Sequence, residues 1–311
     1  MSDTGHVLPP LIALIGPTAV GKTALSLTLA ERFNLEIVSA DSRLFYRGLD
    51  IGTAKPTREE RSRIKHHLID VTSPDQPWSL AAFRTAAHEA IRSIHQRKKV
   101  PLFVGGTGQY ISAVLEGWQP PPRPESDDYR VELQNLVHRK GSLALHARLA
   151  AIDPASAKRI DHRNVRRVIR ALEIHNITGI PASELRVKSA PAHRILRIGL
   201  TLPRQALYQR IDARLDAMLA AGWVSEVEAL LKQGYDFQSA PFSAIGYRQL
   251  ASYVRGENSI EQAKIEIKRL TRRFVRHQSN WFKHDDPQIH WFINENNVEE
   301  KVIALIQTWL G

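Results

Sequence analysis

The chain of 311 residues contains no cysteine. That absence excludes disulfides, thiolate catalysis and cysteine-bearing zinc fingers. No apolar run approaches the roughly 20 residues that a membrane-spanning helix needs. The N-terminal stretch MSDTGHVLPP has no basic segment feeding an apolar one, so no targeting signal is read there. The 13 histidines show no metal-ligand spacing, and the adjacent His66 and His67 would face opposite ways on a strand. There is no internal repeat. The expectation is a cytosolic protein, monomeric and without a membrane partner.

What is present is a positive charge in two places. Lys and Arg number 43 against 32 Asp and Glu, a formal net charge of +11. Trp118–Arg197 holds 15 basic and 8 acidic residues, and Lys264–Lys283 holds 7 and 1. These two segments account for the whole excess, which points to a polyanionic partner. Nucleic acid is favoured over a membrane surface because no amphipathic anchor rich in Trp or Phe precedes either segment.

Apolar patterning predicts a parallel α/β sheet covered by helices. Leu11–Ile15 is a buried-strand run ending in glycine, and Lys22–Phe33 has helical spacing. Further strands are expected at Glu36–Val38, His67–Val71, Val100–Val104 and Ile195–Leu200. A helix over Leu80–Gln96 would be N-capped by Ser79. Pro120–Pro124 reads as a rigid linker, and Asp127–His175 as helix interrupted only at Asp153-Pro154. Helices are expected to fill most of the rest to Leu310. The organisation read from this is a P-loop core, 1–117 with 198–311, holding an all-helical insertion, 118–197.

Gly16-Pro17-Thr18-Ala19-Val20-Gly21-Lys22-Thr23 fits G-x-x-x-x-G-K-[ST], after a predicted strand and opening a predicted helix. Glycines let consecutive N–H groups converge on phosphate oxygens, the helix N-terminus and Lys22 add positive charge, and the Thr23 hydroxyl can ligate Mg²⁺. Gly16, Thr18, Ala19, Val20, Gly21, Lys22 and Thr23 are therefore candidate pyrophosphate-binding residues. A nucleotide and a prenyl pyrophosphate both present a diphosphate, so the motif alone leaves the ligand open.

Asp41 follows a predicted strand beside this loop, at the sheet edge where ligands bind. The segment Ser39–Pro56, together with the loop, resembles the tRNA dimethylallyltransferase family. His66–Asp70, Gly105–Tyr110, Asn164–Glu173, Ala244–Arg248 and Thr271–Phe282 continue the match in order over nearly the whole chain. The resemblance implies transfer of a dimethylallyl group from its pyrophosphate to the exocyclic amine of the adenosine 3′ to the anticodon. Asp41 would take up the amine's proton, and the matched Thr107 would position the amine or the pyrophosphate. An arginine within Tyr208–Asp216 would clamp the pyrophosphate. Arg210 and Arg214, four apart, are the candidates, and Arg214 is preferred. Where the family has glutamine this chain has Leu44, and where it has an apolar residue this chain has Gln109.

The resemblance also implies tRNA contacts at Asp41, Ser42, Arg43 and Leu44 and in Arg163–Arg170. There Arg163, Arg166, Arg167 and Arg170 recur at three- and four-residue spacing. Lys264, Lys268, Arg272 and Arg276 form a second basic row flanked by Arg269 and Arg273, with Ile267, Leu270, Phe274 and Trp281 expected to face the core. Arg272, Arg273 and Arg276 are the RNA-binding candidates from it; a solvated basic helix face would look the same. A P-loop kinase would not need the basic insertion, an adenylate dimethylallyltransferase would use a free nucleotide, and a non-catalytic RNA-binding module would leave the phosphate loop unexplained.

Overall fold

The computed structural model describes residues 8–76, 78–119, 121, 124, 126–185, 192–279 and 281–311. Two compact units divide the chain: Met1–Leu115 with Pro191–Gly311, and Glu116–Ala190.

The larger unit contains β1 (Pro10–Ile15), α1 (Lys22–Phe33), β2 (Leu35–Ser39), α2 (Arg58–Arg63), β3 (His66–His67), α3 (Leu80–Gln96), β4 (Val100–Gly105) and α4 (Gly108–Leu115). The smaller unit contains α5 (Asp128–Ile152), α6 (Pro154–Arg159) and α7 (Val165–Thr178). The chain then returns through β5 (Arg194–Thr201), α8 (Arg204–Ala220), α9 (Trp223–Lys232), α10 (Tyr247–Val254), α11 (Ile260–Gln278), β6 (Ile289–Ile293) and α12 (Val298–Leu310).

All six strands are parallel, in the order β3-β2-β4-β1-β5-β6. Leu11, Ala13 and Ile15 of β1 join one apolar core, while Ile12 and Leu14 join the other. The period of two therefore supplies both covered faces from one continuous apolar run. Each fully buried Leu or Ile contributes roughly 1.5–3 kcal/mol. The Ser79 hydroxyl accepts from the Ala82 N–H and starts α3. Glu36 is buried on β2 and accepts from Arg97 and His67, with Lys99 at 3.4 Å. Burial alone would raise its pKa, but these partners outweigh it and hold the carboxyl down at about 2.

The smaller unit has its own core of Leu133, Leu145, Leu149, Val168, Ile169, Ala171 and Leu172. Glu173 is buried there and receives a two-pronged bond from Arg130, 2.8 and 2.9 Å. Asp153 caps α6 through the Ser156 N–H and also accepts from Ser183.

Several expectations change. The third strand is only His66–His67, because Leu68 and Asp70 take positive φ (63° and 57°) and turn the chain. The helical stretch after Asp127 kinks at Gly141 (φ 80°) and breaks again before α7, where Asp161 accepts from the Arg163 N–H. Strand β6 lies in a region where the sequence predicts mostly helix. Residues 194–197 pair with β1, so the smaller unit ends by 190 rather than 197. Phe274 and Trp281 are exposed rather than in the core. Of the proline linker, residues 120, 122 and 123 lie outside the described residues, as do residues 1–7 of the N-terminal stretch. Among the described residues no helix is long and apolar enough to cross a membrane.

Candidate active site

The C-terminal ends of β1, β2 and β4 are neighbours in the sheet, and each continues into a loop carrying candidate residues. Those loops, with faces of α8 and α11, enclose a cavity of about 580 Å³ within the larger unit. Thr18, Ala19, Gly21, Lys22 and Thr23 line it, as do Asp41–Leu44 and Thr107. Arg210 and Arg214 enter from α8, and Lys268, Thr271 and Phe274 from α11.

The phosphate loop is built as its sequence requires. Gly16 (φ 150°) and Gly21 (φ 100°) lie in the region that side chains avoid, and a Cβ at Gly16 would sit 2.5 Å from the Leu200 carbonyl oxygen. Ala19 also has positive φ, 66°, a strained position in a functional loop. Lys22 donates to the carbonyls of Gly16 (3.0 Å) and Pro17 (2.8 Å), folding its ammonium back under the loop. Burial, reinforced by the nearby Arg214 and opposed by Asp41, pushes its pKa down to about 8. Arg214 is likewise lowered by burial and held up by Asp41. Two cations and one carboxylate thus share a desolvated space with net positive charge, suited to an anion.

Asp41 is fixed by a local turn: its Oδ1 accepts from the Arg43 N–H at 3.0 Å, and its Oδ2 accepts no hydrogen bond among the described residues. One oxygen is held and the other is left for a ligand. Arg43 turns its Nη1 to the Ala240 (3.1 Å) and Pro241 (3.4 Å) carbonyls, with Asp41 in electrostatic range. Leu44 lines the cavity, and Gln109 is exposed on α4. Arg210 is exposed and reaches the Val20 carbonyl at 3.4 Å, so of the two α8 arginines it is Arg214 that lies near both Lys22 and Asp41. Thr23 lines the cavity, is exposed, and its hydroxyl makes no hydrogen bond among the described residues. Among the described residues no group of three or more His, Asp or Glu could hold a metal ion by itself.

The basic segments are less free than their sequences suggest. Arg272 bonds Asp212 at 2.7 Å, Lys264 lies 3.3 Å from Asp216, and Arg276 reaches the Tyr208 hydroxyl at 3.2 Å. Arg273 is exposed. In the smaller unit Arg163 closes on Asp161 at 2.6 Å, and Arg170 donates to the Pro121 carbonyl at 2.9 Å. Arg166 and Arg167 are exposed, with no ion pair among the described residues.

Sequence reasoning misses the supports. Gln278 bonds Thr18 and Gly106, and Asn294 donates to the Val20 carbonyl from just after β6. Glu226 accepts from the N–H groups of Asp50, Ile51 and Gly52, anchoring a loop whose Gly52, Thr53 and Ala54 line the cavity. Lys55, buried, ties the same loop to Asp50 and Asp70. Lys55, Asp70 and Gln278 lie inside segments that carry the family resemblance, but nothing in the sequence gives any of these residues its partners; the tertiary structure does.

Comparisons with known proteins find a family and several similar chains. The family model described as IPP transferase matches residues 44–285. A tRNA dimethylallyltransferase of Roseiflexus sp. (strain RS-1) is 47% identical over 97% of this chain and 99% of its own length. The crystal structure of the full-length tRNA isopentenylpyrophosphate transferase from Bacillus halodurans is 40% identical. It covers 97% of this chain and 95% of that one, with a TM-score of 0.70. A eukaryotic dimethylallyltransferase acting on tRNA, 24% identical, shares the fold over 97% of this chain and 79% of its own, TM-score 0.83.

Proposed function

The chain belongs to the tRNA dimethylallyltransferase family, and from that premise we propose how its cavity carries out the transfer. The enzyme moves a dimethylallyl group from dimethylallyl pyrophosphate to the exocyclic amine of the adenosine immediately 3′ to the anticodon, releasing pyrophosphate. The observation that carries the reading is the convergence of Lys22, Arg214 and the half-free carboxylate of Asp41 in one desolvated cavity.

The donor pyrophosphate lies against the loop N–H groups, Lys22 and Arg214, with Arg210 at the rim. The amine nitrogen attacks the first carbon of the dimethylallyl group as the bond from that carbon to the pyrophosphate oxygen breaks. An amine conjugated to a purine is a weak nucleophile, and Asp41 Oδ2 accepts its proton as the new C–N bond forms. Charge growing on the departing pyrophosphate is met by Lys22 and Arg214. Thr23 would be the residue to hold Mg²⁺, and the ion, when bound, would supply further neutralisation of the leaving group. Thr107 orients the amine from the end of β4.

The smaller unit supplies the grip on the anticodon stem-loop. Its exposed Arg166 and Arg167 support phosphate contacts, while Arg163 and Arg170 serve its own structure first. Leu44 packs on the extruded base, where the family's glutamine could hydrogen-bond it. We read the protein as a cytoplasmic monomer. The test is incubation with labelled dimethylallyl pyrophosphate and either tRNA or AMP. Label in tRNA is expected. Label in AMP alone would assign the chain to free-nucleotide chemistry, and ATP consumption without label transfer would assign it to phosphoryl transfer.

A further inference from the structure

Gln278, the last residue of α11, is buried, and the two ends of its amide go to two different loops. Its Oε1 accepts from the Thr18 N–H at 2.9 Å, within the phosphate loop. Its Nε2 donates to the Gly106 carbonyl at 3.0 Å, one residue before Thr107. The packing leaves no slack. A Cβ at Gly106 would lie 2.6 Å from Gln278 Nε2 and 2.8 Å from the Gly16 carbonyl oxygen. Phosphate loop, β4–α4 turn and amide are therefore in mutual contact.

The sheet ladder sets the relation of these loops only as far as the pair Ile15 and Gly105, the last register of β1 with β4. Beyond that pair the ladder assigns no further register, and one chain runs into the phosphate loop and the other into the turn that ends in Thr107, with Gly16 and Gly106 still close. A carboxamide presents one acceptor and one donor at the same end of an uncharged side chain. That is the pairing needed between an N–H on one loop and a carbonyl on the other.

We propose that Gln278 is a positioning residue that continues the β1–β4 register past the end of the sheet, locking the phosphate loop to the Thr107 turn. The inference rests on the reading that the donor sits on the phosphate loop and the acceptor beside Asp41 and Thr107. Transfer needs the amine nitrogen and the donor carbon aligned and roughly 3–3.5 Å apart, and a displacement near 1 Å is enough to cost about 100-fold. Gln278 holds the donor support and the acceptor support as one body, so that both substrates meet at a fixed separation. It also occupies the Thr18 amide, which directs the pyrophosphate to the N–H groups that follow in the loop.

Gln278→Glu and Gln278→Leu test this in the full-length chain. The glutamate keeps the acceptor for Thr18 but sets a carboxylate oxygen against the Gly106 carbonyl. Protonated, it donates again. At pH 8 and saturating substrates both variants should lose kcat about 10- to 100-fold, with KM for tRNA unchanged, and Gln278→Glu should melt below wild type at pH 8 and recover toward it as the pH falls. As the pH falls toward 6, the ratio of Gln278→Glu to wild-type kcat should rise, and that of Gln278→Leu should not. Thr107→Val combined with Gln278→Leu should lose less than the product of the single losses. Wild-type kcat in both variants, or a pH ratio that stays flat for Gln278→Glu, overturns the proposal. Lys22→Ala run in parallel separates the two readings: undiminished transfer there would remove the donor from the phosphate loop, whatever Gln278 does.

Discussion

Lys22 and Arg214 in the cavity and Arg166 and Arg167 on α7 carry the same charge under opposite conditions. The first pair is half-buried in the cavity, and loss of hydration lowers the pKa of both. The second pair is exposed. A buried cation destabilises the empty protein and gains most when an anion arrives, because little water screens the interaction. An exposed cation costs almost nothing to hold and gains little per contact, and salt weakens it. The cavity is thus suited to one small, highly charged ligand, and α7 to a long polyanion bound through many weak contacts. The basic row of α11 belongs to neither class. Lys264 and Arg272 are matched by Asp216 and Asp212 of α8, so much of that segment's charge serves helix packing.

The largest effect that tests this contrast is at the carboxylate facing the half-buried cations. Asp41→Asn keeps size and removes the basic oxygen, and kcat should fall about 10²- to 10⁴-fold with tRNA affinity nearly unchanged. Steady-state transfer and a filter-binding titration of tRNA check both halves; near-normal turnover would remove Asp41 from the base role.

Lys22 offers a proton count. Its pKa of about 8 in the free protein lies below the ordinary lysine value of 10.5, and pyrophosphate will draw it back up. Donor binding at pH 9 should therefore take up close to one proton, and at pH 7 almost none, read by calorimetry in buffers of different ionisation enthalpy. The stability sign follows from the same shift. Between about 8 and 10.5 the unfolded chain binds more protons at this site than the folded one, so the Lys22 contribution to stability improves as pH rises through that window. At pH 7 Lys22→Met should accordingly melt higher than wild type while binding donor more weakly. A Lys22→Met protein less stable than wild type would contradict the burial argument.

Smaller effects belong to the exposed cations. Removing Arg166 and Arg167 together should weaken tRNA binding uniformly and reduce the slope of log affinity against log salt by about 0.7–0.9 for each phosphate the pair neutralises. The kcat at saturating tRNA should hold, and a fall in kcat alone would place these side chains in the chemistry instead. Smallest is the contrast within α11. Arg272→Ala should cost about 1 kcal/mol or less of stability through the broken Asp212 pair. Arg273→Ala should leave the melting temperature alone and change only the salt dependence of RNA binding.

The sequence is most legible where a local pattern has one physical solution. The run Leu11–Ile15, the G-x-x-x-x-G-K-[ST] loop, Lys22–Phe33 and Ser79 before Leu80 all appear in the structure as their patterns predict. Strand β6 escapes because its burial pattern is mixed, with His290 and Ile293 exposed, as at a sheet edge. The α11 row misleads for a related reason: periodicity identifies a face but not what lies across from it. Asp212 and Asp216 sit in α8 and convert a basic stripe into ion pairs, while Phe274 turns toward the cavity. Glu226 and Asn294 have no local signature, and Gln278 lies inside the Thr271–Phe282 match without any sign of its role, since the partners of all three come from segments far away in the chain.

That distance has a consequence for a chain emerging from the ribosome. The phosphate loop is made among the first 23 residues, yet β1 lacks one of its strand neighbours until Arg194–Thr201 has emerged. The loop itself is clasped by Gln278 and Asn294, both near the end of the chain. Synthesis at about 5–20 residues per second leaves the loop without these partners for well over ten seconds. On the proposed reading, a growing chain carries a phosphate motif whose donor site is incomplete until the last strand of the sheet has emerged. If the donor sits on this loop, the contacts that clasp the loop from Gln278 and Asn294 are completed only near the end of translation.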